Sequence, residues 1–141
     1  MNRKITLKIS KSSLYILLGL YILAALYLLY ISPFCGRASN HRSLQLIPFK
    51  TIIEQLSLSR GLDYMLGNMV GNVFVLLPAG FYLALLGWTP TRGKALGAFM
   101  AAAFFVELLQ YLLWVGCMDI DDIWMNGAGG LLGFWMGRRL L

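Results

Sequence analysis

Glu107, Gln110 and Tyr111 stand at i, i+3 and i+4 inside an otherwise apolar run, residues 95–118. At that spacing the three side chains share one helical face. A carboxylate in the middle of a membrane helix costs roughly 2.5–3.5 kcal/mol on insertion scales, so it persists where it has a partner or a task. Several tasks suit it. It can accept hydrogen bonds from a bound molecule, act as a general acid or base on a lipid headgroup, or relay protons in a small transporter or flippase. The remaining reading is structural, with polar side chains joining one helix to the next.

Other polar groups fall into register with it. Asn68 and Asn72 lie one turn apart, and Gly71 beside them would admit a neighbouring backbone. Asp119, Asp121 and Asp122 precede the last apolar run, where acidic residues favour the positive end of a helix. For a helix starting near Asp119, a stripe of Asp122, Asn126, Gly130, Gly133 and Gly137 spans about 80°, with Asp121 on the opposite side. Gly129, Gly133 and Gly137 also recur every four residues, a surface for close helix packing.

Arg42, next to His41, has the fork to hold a phosphate or carboxylate bidentately, or a lipid headgroup at the membrane surface. Asp119 and Asp122 are the pair a divalent cation could use with phosphate oxygens and water, but no metal or cofactor is predicted from two carboxylates. The sequence offers no nucleophile beside a base and no paired histidines, so catalysis is the weaker alternative, with Glu107 its candidate. Cys35 and Cys117 fall near the same ends of two helices. They could pair in an oxidising compartment or remain ordinary small buried residues.

These side chains must be carried by membrane helices. Hydrophobic residues make up 59% of the chain and charged ones only 13%, about half the usual share for a soluble domain. Four segments could span: residues 14–31, 64–87, 95–118 and 123–137. The last is the shortest, roughly 22 Å as a helix, and needs help from its charged flanks. A basic N-terminus precedes the first run, which is too long for a signal-peptide core and reads as a retained anchor within residues 1–33. The loop at 32–63 contains Phe49, Ile52, Ile53 and Leu56 at helical spacing, with Pro48 at the start. That pattern predicts an interfacial amphipathic helix. The expected fold is therefore all-α: one domain over 1–141, an integral bundle of four transmembrane helices with one interfacial helix in the first outer loop.

Basic residues set the orientation. Arg3, Lys4, Lys8, Lys11, Arg92, Lys94, Arg138 and Arg139 fall on one side, against Arg37, Arg42, Lys50 and Arg60 on the other. Both termini are expected in the cytoplasm of a multi-pass cell-membrane protein. The net charge of +6 follows largely from this topology and requires no nucleic acid. Glu107, 11 residues before Met118, then lies about 16 Å below the outer end of its helix, near the midplane. Asn68, Asn72, Gln110, Asp122 and Asn126 all fall in the outer half. Their coincidence of depth and face predicts an outward-opening polar cavity floored by Glu107.

The blocks Arg42–Leu46–Pro48–Phe49, Asn68–Gly71–Asn72–Pro78–Gly80, Glu107–Gln110, and Asp119–Asp121–Asp122–Asn126 with its glycines resemble the VanZ-like family of small bacterial membrane proteins. The resemblance covers about residues 42–137. Two positions depart from it: Gly127 stands where members often carry Thr, and Gly116 and Cys117 where many carry a basic residue before the aspartates. The resemblance implies a multi-helix envelope protein linked to glycopeptide resistance of the teicoplanin type. Read together with the residues, it points to a protein binding membrane lipids or a lipid-linked envelope precursor through Arg42, Asn68, Asn72, Glu107, Gln110, Asp119, Asp122 and Asn126. Homo-oligomers through the glycine track are a further option.

Overall fold

The computed structural model describes residues 10–32, 43–57 and 61–141. Within them, five helices run in the order α1 (Lys11–Tyr30), α2 (Lys50–Leu56), α3 (Leu62–Leu85), α4 (Arg92–Leu112) and α5 (Ile120–Arg139), with two short strands, β1 (Ser43–Gln45) and β2 (Cys117–Asp119). The fold is all-helical apart from this parallel pair, in which Ser43 faces Cys117 and Gln45 faces Asp119. No apolar alternation marked either strand, because each is only three residues long.

Three helices are long and apolar enough to cross a membrane: α1, α3 over Met65–Leu85, and α4. Their large side chains face outward. Tyr15, Ile16, Leu20 and Leu23 of α1 and Phe105 of α4 are all exposed. α5 has the length, 20 residues or about 30 Å, but carries Asp121 and Asp122 in its first turn and Arg138 and Arg139 in its last. These charges oppose the helix dipole at both ends. The Arg139 guanidinium also stacks 3.6 Å over the Trp135 ring.

α5 is the axis of the bundle and packs against α3 and α4. Gly129 and Gly133 lie directly on the backbone of α3: a Cβ added to either would collide with the carbonyl oxygen of Val73 or Leu77. On the other side Gly130 abuts the Phe99 ring of α4. The glycine repeat thus serves packing within one chain. Below it, Trp88, Phe99 and Phe134 form an edge-to-face cluster with centroids 5.4–5.8 Å from Trp88, closed by Ala84 and Ala95. This solid core fills the end of the bundle where α3 passes into α4.

The helix ends differ from expectation in an instructive way. α3 stops in a Schellman turn with Gly87 at φ 88°, where the glycine predicts a stop. α4 stops in the same turn at Leu112, six residues before the apolar run ends. Val115 N–H donates to Gln110 O at 3.0 Å, Trp114 N–H to Tyr111 O at 3.3 Å, and Trp114 takes the left-handed conformation at φ 59°. A tryptophan there is rare, so no stop is legible in the residue types. As a result Glu107 lies five residues from the end of α4, about 8 Å, and not at mid-helix. α3 meanwhile runs unbroken through Pro78.

Candidate functional site

The opposite end of the bundle is hollow. A cavity of about 800 Å³ lies between the second half of α1, the first half of α3, the last turns of α4 and the first turns of α5. That is within the range of about 300–1,000 Å³ common for small-molecule sites. α1 contributes an apolar wall, including Ala24, Ala25 and Leu28. α3 presents Asn68 and Asn72, α4 presents Glu107 and Gln110, and α5 presents Asp122 and Asn126. Six of the eight residues singled out for a ligand therefore line one space. Of the other two, Arg42 lies outside the described residues, as do His41 and Cys35, and Asp119 is turned away from the cavity to cap α5.

Gly67 and Gly71 also line the cavity, and nothing described lies within 4 Å of a Cβ placed on either. Contrary to the expectation from its position, no backbone among the described residues approaches Gly71. It widens the cavity.

The polar groups are tied to one another. Asn72 Nδ2 donates to Asp122 Oδ1, which joins α3 to α5. Asp119 N–H donates to Glu107 Oε2 at 3.3 Å, fixing β2 to α4. Gln110 Nε2 donates to the Leu29 carbonyl at 3.4 Å, and Tyr30 Oη donates to the Val106 carbonyl at 3.2 Å, so α1 is stitched to α4. Tyr111, on the same sequence face as Glu107, is half-buried beside the cavity and not among its lining residues. Asn126 is the exception to this pairing. Only 1% exposed, it leaves its Oδ1 without a hydrogen-bond partner among the described residues.

The aspartate block divides its labour. Asp119 Oδ1 accepts from Asp121 N–H at 2.9 Å as the helix cap, and Oδ2 accepts from Thr51 Oγ1 at 2.5 Å. Burial pushes the Asp119 carboxyl above the usual carboxylate range, with the Thr51 hydroxyl opposing it. Asp121, fully buried, accepts three backbone N–H groups from the start of α2: Phe49 at 2.7 Å, Thr51 at 2.9 Å and Ile52 at 3.2 Å. This carboxylate satisfies amides that a helix N-terminus would otherwise leave unpaired. Its opposite orientation to Asp122 was legible in the helical phase, but its partners 70 residues away were not. Asp119 and Asp122 serve different partners, and among the described residues no group of three or more metal-ligating side chains converges.

α2 itself turns Thr51, Ile52 and Gln55 inward and leaves its charged Lys50 and Glu54 exposed. Thr51 is half-buried and Gln55 buried, while Phe49, Ile53 and Leu56 are exposed. Pro48 and Phe49 form the turn before it, with Phe49 left-handed at φ 63°. Among the described residues Gln55 has no partner for either side-chain polar atom. An unpaired buried amide costs about 1–3 kcal/mol, so Gln55→Met, of similar volume, is expected to raise stability by about 1 kcal/mol. A thermal melt of purified protein checks this, and a lower midpoint would contradict it.

Cys117 lines the cavity with its thiol pushed above the ordinary range, first by burial, then by the nearby carboxylates of Asp119, Asp122 and Glu107, against the lowering effect of a Ser43 hydrogen bond. Such a thiol is a poor nucleophile at neutral pH. No disulfide involves it among the described residues.

The sequence matches the model of the VanZ/LLP1 family over residues 16–141. The chain belongs to this family. The match reaches back through most of α1, beyond the blocks that carry the resemblance, and in this chain that helix forms a wall of the cavity. No curated protein and no solved structure is significantly similar to the chain.

Proposed function

We propose that this VanZ/LLP1 protein is a non-catalytic, four-span envelope protein that takes the headgroup of a lipid or lipid-linked molecule into the end cavity. The observation that carries this reading is the composition of the cavity: amides and carboxylates from three helices stand opposite an apolar wall from α1. That combination accommodates a polar head with its acyl chain against α1 and α3. The exposed apolar sides of the helices support a membrane setting. α5 serves as the fourth span, its charges confined to its two ends. α2 lies at the interface with Phe49, Ile53 and Leu56 toward lipid, and Arg42, eight positions before it in the sequence, is the side chain assigned to a headgroup. The excess of basic residues on the other side turns the cavity outward and leaves both termini in the cytoplasm. Occupancy by an envelope precursor or lipid would then alter susceptibility to teicoplanin-type glycopeptides.

Gly71→Leu tests the reading. The added side chain enters open space, so the fold is expected to hold while the cavity fills. Native mass spectrometry of gently solubilised protein is expected to show lipid bound to the wild type and lost from Gly71→Leu. Equal lipid occupancy in both, with unchanged melting, would place the lipid elsewhere.

A further inference from the structure

We infer that the cavity opens sideways into the bilayer between α1 and α3, and that this seam holds an acyl chain of the bound lipid. This rests on the lipid-binding reading above and adds the lipid's route and the place of its tail. The lining is unequally enclosed. Glu107, Gln110 and Asn126, on α4 and α5, are at most 5% exposed. Ala24 and Leu28 of α1, with Gly67, Gly71 and Phe74 of α3, line the same space and are exposed. Two other seams are tied: Asn72 joins α3 to α5 through Asp122, and Leu29 and Tyr30 join α1 to α4.

Between α1 and α3 the lining side chains are short. α1 contributes Ala24 and Ala25, and α3 contributes Gly67 and Gly71. A Cβ on either glycine meets nothing within 4 Å, so the helices stand apart there and leave a slot. Its position decides what lies outside. Both helices are long and apolar enough to cross a membrane, and Leu23, Leu66 and Val70 on them are exposed. A gap in the side of two such helices faces hydrocarbon.

The lining also changes character with depth. Along α3 it runs from Asp63 to Phe74, 11 residues or about 16 Å, roughly half of a hydrocarbon core about 30 Å thick. Asp63, Asn68 and Asn72 come first, and Phe74 and Val75 last. An occupant must be polar at the end of the bundle and apolar at depth, with its apolar part reaching out through the slot. A bilayer lipid meets both demands without leaving the membrane. A helix from a second copy could lie along the short residues but would leave the polar end unfilled. A water-soluble ligand would leave the slot unfilled.

Phe74 and Phe105 form a matched pair for the test. They are 57% and 60% exposed, but Phe74 lines the cavity and Phe105, on α4, does not. A benzophenone-bearing phenylalanine is placed at one position or the other in the full chain. The protein is reconstituted in vesicles of phosphatidylethanolamine and phosphatidylglycerol, returned to mild detergent to strip exchangeable lipid, and irradiated. Mass spectrometry is expected to find a lipid adduct at position 74 and none at position 105. Ala24→Trp, which fills the slot from α1, is expected to abolish the adduct at 74; its persistence would overturn the slot. Native mass spectrometry of the same samples reads whether lipid is held at all. Lipid held without an adduct at 74, or with equal adducts at both positions, overturns the slot and leaves the headgroup cavity standing. A protein–protein adduct at 74 assigns the seam to a second copy and overturns it as well. If no lipid is held, both readings fall. The comparison of 74 with 105 decides the matter even where Ala24→Trp fails to fold.

Discussion

Asp121→Ala is expected to release α2 from the bundle while α3, α4 and α5 stay assembled. The carboxylate accepts from Phe49, Thr51 and Ile52, and hydrogen bonds to a charged group contribute roughly 1.5–3 kcal/mol each. With some recovery from water at the freed amides, the docking of α2 should weaken by roughly 3–6 kcal/mol. A helix of seven residues does not persist alone, so release means unravelling. Hydrogen exchange at residues 50–56 should accelerate by at least about a hundred-fold, since 1.4 kcal/mol is a factor of ten. Asp121→Asn keeps one acceptor oxygen and should fall between. Unchanged exchange in Asp121→Ala would show that Thr51 bonded to Asp119 and the exposed apolar face hold α2 without it.

Gly133→Leu is expected to have the largest effect on the whole fold. Its Cβ alone would meet the Leu77 carbonyl, and a backbone atom cannot swing aside as a side chain can. Overpacking of a yielding core costs about 1–3 kcal/mol, and this contact lies at or above the top of that range. α3 and α5 would have to separate, opening the aromatic core and the bond between Asn72 and Asp122 together. The melting transition in detergent should be lost or lowered by many degrees. Gly97→Leu is the matched control, because a Cβ there meets nothing within 4 Å. It should melt like the wild type. If both variants behave alike, the glycine contact does not govern assembly.

What could be read from the sequence was whatever repeats locally. Helical phase alone put Asn68 with Asn72, Glu107 with Gln110 and Asp122 with Asn126, and the three pairs do line one cavity. The four-residue glycine spacing located the contact of α5 with α3. Gly87 marked the end of α3 because a left-handed residue is commonly glycine. Trp114 hid the end of α4 because tryptophan is an uncommon residue in that same conformation. The depth of Glu107 was misjudged for this reason. Asp121, the Thr51–Asp119 bond and the β1–β2 pair were not legible. Each joins segments about 70 residues apart, and no local period reports such a partner. The unfilled Oδ1 of Asn126 belongs to the same class, since satisfaction of a buried atom is decided only by everything around it.

The pairing of β1 with β2 has a consequence for how the chain is made. Ser43 and Phe49 emerge from the ribosome long before Cys117 and Asp121, to which they must bind. Until translation has passed the fourth long helix's first turn, the segment ahead of α3 has neither a strand to lie beside nor a carboxylate to receive its amides. Long-range contacts of this kind close late. The β1–α2 segment is therefore completed only after the first turn of α5 has been made, and a nascent protein truncated before residue 121 should carry that segment open to proteases.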